Sequence, residues 1–376
     1  MYDSKNEQEM SKQLKSIIVL LFVIVGMPTI SRASAPADFA SSVTVEESYD
    51  LNSPHQLTIW NKYLSESTPN GNTNGVDFFL SCLSDSDTDY GACAVNPEWM
   101  GAGGDVLLSF VEKRTHIKHN AVISGTLGTP CSVKGFVDTT GGCQINSSLY
   151  NVYITPDELK KFPIGGIWFA HLKLRTGQWH AGPGSIVDQW PGFMDAYWTA
   201  DITLHITDNN NIRIWLPQFH GSTANVVMPV MPAYWALNKP GLVSAEKVVE
   251  TCLYDGYNSN SQRFEVTLNS NYTDSTTQDF LLQNTSEPTS KPLHYQVLAS
   301  PPGQSGAMQR LNPGITHTYT GINSTGIRQV IMPGLQTPVA CVPWPIRIKL
   351  LPFDLSRQAA GHYNGTFSIT FTPSLY

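Results

Sequence analysis

Apolar and polar residues alternate in short runs along most of this chain. The clearest run stands near its end, where Tyr363, Gly365, Phe367, Ile369 and Phe371 interleave with Asn364, Thr366, Ser368, Thr370 and Thr372. A period of two is that of a strand with one buried face. Similar segments precede it: GVDFFLSCL, DVLLSFVEK, LYNVYI, GGIWFAHLKL and DITLHITD in the first half, then NVVMPV, FEVTLN, DFLLQN, HYQVLAS, IRQVIMP and WPIRIKL. Clusters of Gly, Asn, Asp and Pro separate them. TPDELKKF predicts one helical turn, capped by Thr155 with Pro156 in first position. The pattern predicts an all-β protein built as sandwiches.

A chain of 376 residues exceeds what one core usually serves, so two domains are expected. The polar stretch from His220 to Ala224 reads as the joint between them. The expected division is 36–219, a linker at 220–224, and 225–376. Charged residues make up 14% and the net charge is -7, which argues against a nucleic-acid partner held through phosphates. KQLKSIIVLLFVIVGMPTISRASA has a basic start, an apolar run from Ile17 to Val25, and small residues at Ala33 and Ala35. These are the parts of a secretory signal, expected at 1–35, with Met10 as the expected start given the acidic residues ahead of it. The mature chain is expected to be exported and soluble.

Six cysteines in an exported chain point to disulfides. Spacing favours Cys82 with Cys93, Cys131 with Cys143, and Cys252 with Cys341, among the roughly 15 pairings that six cysteines allow. No C-x-x-C pair stands out as half of a zinc site, so no metal is expected. His116 and His119, three apart on an expected strand, would face opposite ways. Asp201, Thr203 and His205 read as the solvated side of a strand whose other side carries Ile202, Leu204 and Ile206. VEKR and KHN read as a solvated basic edge, and Tyr254, Asp255 and Tyr257 as turn residues. No nucleophile motif, phosphate loop or announced carboxylate pair marks an enzyme, and no cofactor is implied.

In order and spacing, FFLSCLSDSDTDYGAC, LSFVEKRTHIK, LKKFPIGGIWFAHLKL, NNIRIWLPQF, CLYDGYNSNS and GHYNGTFSITFTP resemble the fimbrial tip adhesins of the colonisation-factor and cable-pilus type. These are minor pilins of the alternate chaperone-usher route, and the likeness runs through most of the mature chain. The resemblance implies two immunoglobulin-like β-sandwich domains in tandem, a receptor-binding domain followed by a pilin domain that lacks its last strand. It implies that a periplasmic chaperone, and then a donor strand from the major pilin, fills the resulting groove, with Tyr363, Phe367, Ile369 and Phe371 lining it. It also implies an outer-membrane usher and a place at the fimbrial tip on the cell surface, because a whole domain occupies the position of a donor extension.

The resemblance further implies a lectin-like first domain, in which the best understood members use a cluster of three arginines for sialylated glycans. Here the matching positions carry Asp77, Gln178 and Trp179, which removes the positive charge that an acidic sugar wants. RTGQWHAGPGSIVDQWPGFMDAYW is read as a projecting loop whose Arg175, Gln178, Trp179, His180 and Trp190 are candidates for a neutral sugar on a host glycoconjugate. Trp198, beside DITLHIT, is read equally as a core anchor. Two other functions compete: an exported carbohydrate-active enzyme with an accessory β domain, and a purely structural initiator of the fibre.

Overall fold

The computed structural model describes residues 39–65, 78–96, 103–128, 133–137, 147–181, 189–233 and 241–374, with the backbone alone at 63–65, 78, 133–134, 147–148, 178–181 and 189–195. The expected signal at 1–35, Asp77, and the Cys131 and Cys143 pair lie outside the described residues.

The first half runs through β1 (Ser41–Asp50), β2 (Leu57–Ser65), β3 (Phe78–Cys82), β4 (Val106–Glu112) and β5 (Lys118–Gly128). It continues with β6 (Val133–Lys134), β7 (Ser147–Ile154), the helical turn α1 (Pro156–Leu159), β8 (Gly166–Ala181) and β9 (Gln189–Thr207). Thr155 caps α1 as its sequence predicts, its hydroxyl accepting from the Glu158 amide. Among the described residues the strand order is β1-β9-β8-β4-β5-β7-β2, with β3 on β8 and β6 on β5. All pairings are antiparallel except β1 with β9, which run parallel from Ser41 opposite Trp198 to Asp50 opposite Thr207. The two end strands come together in a barrel-like sandwich: Lys62 on β2 donates to Ala40 O just ahead of β1.

Alternation along β9 sends Trp198, Ala200, Ile202, Leu204 and Ile206 inward, all at 0–1% exposure. Trp198 is the core anchor that its neighbours suggested. Its ring lies 5.2 Å from those of Trp60 and Tyr150, and its indole N–H donates to Phe39 O at 2.9 Å.

The second half comprises β10 (Arg213–Trp215), β11 (Met231–Pro232), β12 (Leu242–Val249), β13 (Cys252–Tyr254), β14 (Arg263–Asn269), β15 (Phe280–Asn284) and β16 (Leu293–Ala299). Then come β17 (Gln309–Leu311), β18 (Thr316–Thr320), β19 (Arg328–Val330), β20 (Val339–Pro343), β21 (Ile346–Asp354), β22 (Tyr363–Asn364) and β23 (Ser368–Ser374). One sheet runs β11-β12-β21-β16-β15-β22 with β17 on β16, and a second runs β18-β14-β23. Between them they enclose a core of Phe264, Val266, Leu268, Phe280, Tyr295, Val297, Trp344 and their neighbours. The expected strand NVVMPV is extended backbone without a ladder over 225–230, and Ala224, Val226 and Met228 pack alternately on this core.

A small sheet, β10-β13-β20-β19, serves both halves. Trp215, Cys252, Tyr254, Val339 and Cys341 join the first core, while Leu216, Leu253 and Val342 join the second. Opposite parity along each strand is the cause. Cys252 and Cys341 are disulfide-bonded across β13 and β20, and Cys82 and Cys93 are bonded at the end of β3. Because β10 already pairs with β13, the chain crosses between the halves between Thr207 and Arg213, ahead of the 220–224 stretch.

The turn after β13 is more than local chemistry. Asp255 accepts N–H bonds from Tyr257, Ser259 and Ser261 at 2.8–3.0 Å, which holds 255–261 in a buried coil. That coil is wedged against the first domain. Gly256 O accepts from the Asp208 amide at 2.8 Å, and Ser259 O from Arg114 at 2.7 Å. A Cβ at Gly165 would collide with Gly256 O, so only glycine permits this approach. VEKR is accordingly no solvated edge. Glu112 is buried, accepting from the Arg114 and Thr115 amides and the Thr115 hydroxyl, and Arg114 reaches the second domain. Nor does His116 lie on a strand with His119. It sits in the turn before β5 at φ 57°, whereas His119 lies on β5 with its ring 4.6 Å from that of Phe162.

Candidate functional site: an open strand edge and an aromatic hairpin

Among the described residues β23 pairs with β14 alone. Its backbone is aligned from Ser368 opposite Asn269 to Ser374 opposite Arg263, and its other edge carries no ladder. Phe264, Val266 and Leu268 on β14 are 0–1% exposed. On the adjoining strand, Ile369 opposite Leu268 and Phe371 opposite Val266 are only half-buried. Phe367 and Tyr363 share that state, packed on the same core yet incompletely covered. The Phe371 ring meets Phe264 edge-on at 4.8 Å, and Phe367 lies 5.8 Å from Phe280 and 6.4 Å from Tyr295. The Tyr363 hydroxyl donates to Ala359 O at 2.9 Å. All four predicted residues thus pack on the second core, Ile369 and Phe371 on β23, whose other edge is unpaired among the described residues, and Tyr363 on β22, which pairs with β15 in the facing sheet. Such an edge can take one more strand, whose main chain would complete the sheet and whose alternate side chains would cover Ile369 and Phe371.

The second candidate differs from its expected form. The stretch read as a projecting loop is mostly a ladder, because β8 and β9 continue as a long hairpin. A register shift between Arg175 and Gly177 sets it off, and then Gln178 opposes Gly192, Trp179 opposes Pro191 and His180 opposes Trp190. At Gly177 a Cβ would strike the Phe79 ring, so glycine admits the close packing of β3 against the hairpin base. Phe78 opposes Gln178, which brings the start of β3 beside the base of the hairpin. Only Arg175 of the candidate set has a described side chain. It donates to Val95 O at 3.1 Å and so fastens the segment after the Cys82–Cys93 bridge to β8.

On the solvent side of β9, Asp201 and His205 do more than meet water. His171 Nδ1 lies 2.5 Å from Asp201, while His205 bridges Glu46 at 2.8 Å and the Tyr257 hydroxyl at 2.6 Å. Sequence spacing could not reveal the second bridge, because Tyr257 belongs to the other domain. Among the described residues no group of three His, Cys, Asp or Glu side chains could hold a metal ion. No helix among them is long and apolar enough to cross a membrane.

Comparison with known proteins converges on one family. Residues 28–209 match the first-domain model of CfaE, a CFA/I fimbrial subunit, and residues 212–375 match the model of its second domain. The chain is 31% identical over 316 residues to this CFA/I fimbrial protein of Escherichia coli, covering 78% of this chain and 79% of that one. A crystal structure of CfaE, the adhesive subunit of CFA/I fimbria of enterotoxigenic Escherichia coli, superposes with a TM-score of 0.69 at 26% identity, covering 91% of this chain and 94% of the other. A chaperone-tip adhesin complex of CFA/I fimbriae gives 0.62 at 25% identity, covering 89% and 97%. The chain belongs to the CfaE family of fimbrial tip adhesins.

Proposed function

We propose that this protein is a non-enzymatic adhesin at a fimbrial tip, which grips a host-surface glycoconjugate with its first domain and accepts a strand from the major pilin in its second. The observation that carries this reading is the one-sided pairing of β23 among the described residues, with Ile369 and Phe371 on it half-buried and Tyr363 and Phe367, ahead of it in the chain, half-buried on the same core. A donor strand laid on that edge gains main-chain hydrogen bonds, and each apolar side chain it buries adds roughly 1.5–3 kcal/mol before ordering costs. A periplasmic chaperone holds the edge first, the outer-membrane usher exchanges it for the pilin, and the fibre carries the domain to the cell surface. The relative caught in a chaperone-tip adhesin complex supports the first of these partners.

For the receptor, the backbone pairing of Trp179 with Pro191 and of His180 with Trp190 supports a compact site at the hairpin, with Gln178 beside the start of β3. With Asp77, Gln178 and Trp179 at the family's arginine positions, a neutral sugar suits it better than a sialylated one.

The test is a thermal melt of the mature chain with synthetic peptides copied from the amino terminus of the neighbouring major pilin. One matching peptide at a hundred times its dissociation constant should add about 2.7 kcal/mol of stability. A chain that melts high alone and is unmoved by every peptide would overturn the assembly half of the proposal.

A further inference from the structure

A strand donated by another subunit brings a folded body with it, and the structure restricts where that body can stand. The edge of β23 that carries no ladder among the described residues runs from Ser368 to Ser374, and its two ends differ. Ser374 opposes Arg263, and its carbonyl accepts from the Gln262 amide at 3.2 Å. Gln262 directly follows the 255–261 coil that is wedged against the first domain. This end is therefore occupied by the chain's own first half. Ser368 opposes Asn269, and ahead of it the Ser270 hydroxyl donates to Thr366 O at 2.7 Å. This second end faces away from the first domain, because β14 leads from the coil at Arg263 out to Asn269.

Three connections meet at that far end. Between β14 and β15, Tyr272 O accepts from the Leu281 amide at 3.0 Å, and ahead of β18 the Gly314 amide donates to Leu268 O at 2.7 Å. The connection after β21 begins at Asp354, opposite Leu242, at the end of β12 remote from Cys252 and the shared sheet. It crosses to β15, where the Asn284 side chain donates to Ala360 O at 3.3 Å and the Thr285 amide to His362 O at 2.8 Å. Each of these connections bears one exposed large apolar side chain: Tyr272 at 44%, Ile315 at 51% and Leu355 at 56%. The second domain's others among the described residues lie elsewhere, Val227, Val230 and Met231 on the extended flank that ends in β11, and Ile331 after β19.

We infer that this far end is the seat for the folded body of the subunit that donates the strand, with Tyr272, Ile315 and Leu355 making an apolar contact around the strand's root. The inference rests on the strand-accepting half of the proposed function and extends it from the groove to the body behind the strand. Strand and body are tethered, so a modest body contact multiplies the hold of the strand. The charges here are of both signs, Asp354 paired with Arg357 at 3.2 Å and Glu287 four residues from Lys291, so the contact should depend little on salt.

The test compares two ligands of the full mature chain: the peptide copied from the major pilin's amino terminus, and the whole major pilin with that extension free and its own groove closed by a donor strand fused to its carboxyl terminus. The whole pilin should bind about tenfold more tightly than the peptide or better, at low and high salt alike. The variant Tyr272→Ser, Ile315→Thr, Leu355→Ser should lose that advantage while binding the peptide and melting as the wild type does. Phe371→Ala, in the groove, should weaken both ligands. Should the triple variant melt without cooperativity, Leu355→Ser alone carries the same test and should lose part of the advantage. A pilin that binds no better than its peptide, or an advantage that survives these variants, would overturn the seat and leave the strand-accepting groove standing. Failure of both ligands to bind would overturn the groove and the seat together. A concentration-dependent mass of the mature chain alone, abolished by the triple variant, would place a second copy on this end and overturn the seat.

Discussion

Each half of the molecule ends in a strand of the same design, and the two have different fates. On β9, Ile202, Leu204 and Ile206 alternate with polar residues, and on β23 Ile369 and Phe371 do the same. Yet β9 lies between β8 and β1 with its inward side chains at 0–1% exposure, whereas β23 has β14 on one side and half-buried side chains. The difference is β1. By lying parallel along β9 it sets Val43, Val45 and Tyr49 against the first core. The second domain has an extended segment at 224–228 on its core, but no strand laddered to the free edge of β23 among the described residues. Among the described residues one domain is thus closed and the other open at one edge, and burial depends on the neighbour as well as on the strand's own pattern.

The largest expected effect comes from the sheet that both domains share. Replacing Cys252 and Cys341 by serine opens a loop of 89 residues, a loss of about 4–5 kcal/mol in the chain-entropy model. Denaturant unfolding should then show both domains weakened together. The Cys82 to Cys93 bridge closes only 11 residues, and its removal should cost about 3 kcal/mol, confined to the first domain. If the larger loop's removal spared the first domain, the sheet would not couple them.

Trp198→Ala breaks the closed side. Its ring is fully buried and its N–H satisfied, so about 3–5 kcal/mol should be lost, with or without a pilin peptide. Phe371→Ala should behave otherwise. Alone it should cost about 1 kcal/mol, since the ring is only half-buried; with a matching peptide bound the loss should rise toward the roughly 3 kcal/mol of a fully covered phenylalanine. Calorimetry on both variants, with and without peptide, reads the contrast. Equal costs for Phe371→Ala in the two conditions would erase it.

The smallest effect is that of pH on the closed core. Burial holds the His119 imidazole below its ordinary pKa, partly opposed by Glu158. The unfolded chain therefore binds this proton more readily, so stability should fall as pH drops through about 6.5 and level off below the depressed value. His119→Phe should flatten that slope in denaturant unfolding between pH 7.5 and pH 5.5.

Much of the fold was legible in local pattern. The period of two found the strands around Phe264, Tyr295, Ile348 and Ile369, and the Thr155-Pro156 pair marked the helical turn. Spacing also found two disulfides. Local pattern points to a loop where Gln178 to Ala181 ladder with Gln189 to Gly192, because the Gly and Pro residues there imitate turn chemistry inside a ladder. The wedge at 255–261 was hidden for another reason. The turn signal of Asp255 is local, while the coil's contacts with Asp208, His205 and Arg114 depend on residues about 50 to 145 positions away. The open edge of β23 showed its buried face in the sequence but not its missing neighbour, which is a property of the whole topology.

Residue-resolved hydrogen exchange on the mature chain tests that claim most directly. Without peptide, amides of β9 from Trp198 to Ile206 should exchange slowly throughout, whereas on β23 only those bonded to β14 should be slow and the alternate ones fast. A matching pilin peptide should slow those fast amides and leave β9 as it was. Uniform slow exchange along Ser368 to Thr372 in the absence of any peptide would mean that the edge is already covered, and the account of an open second domain would be wrong.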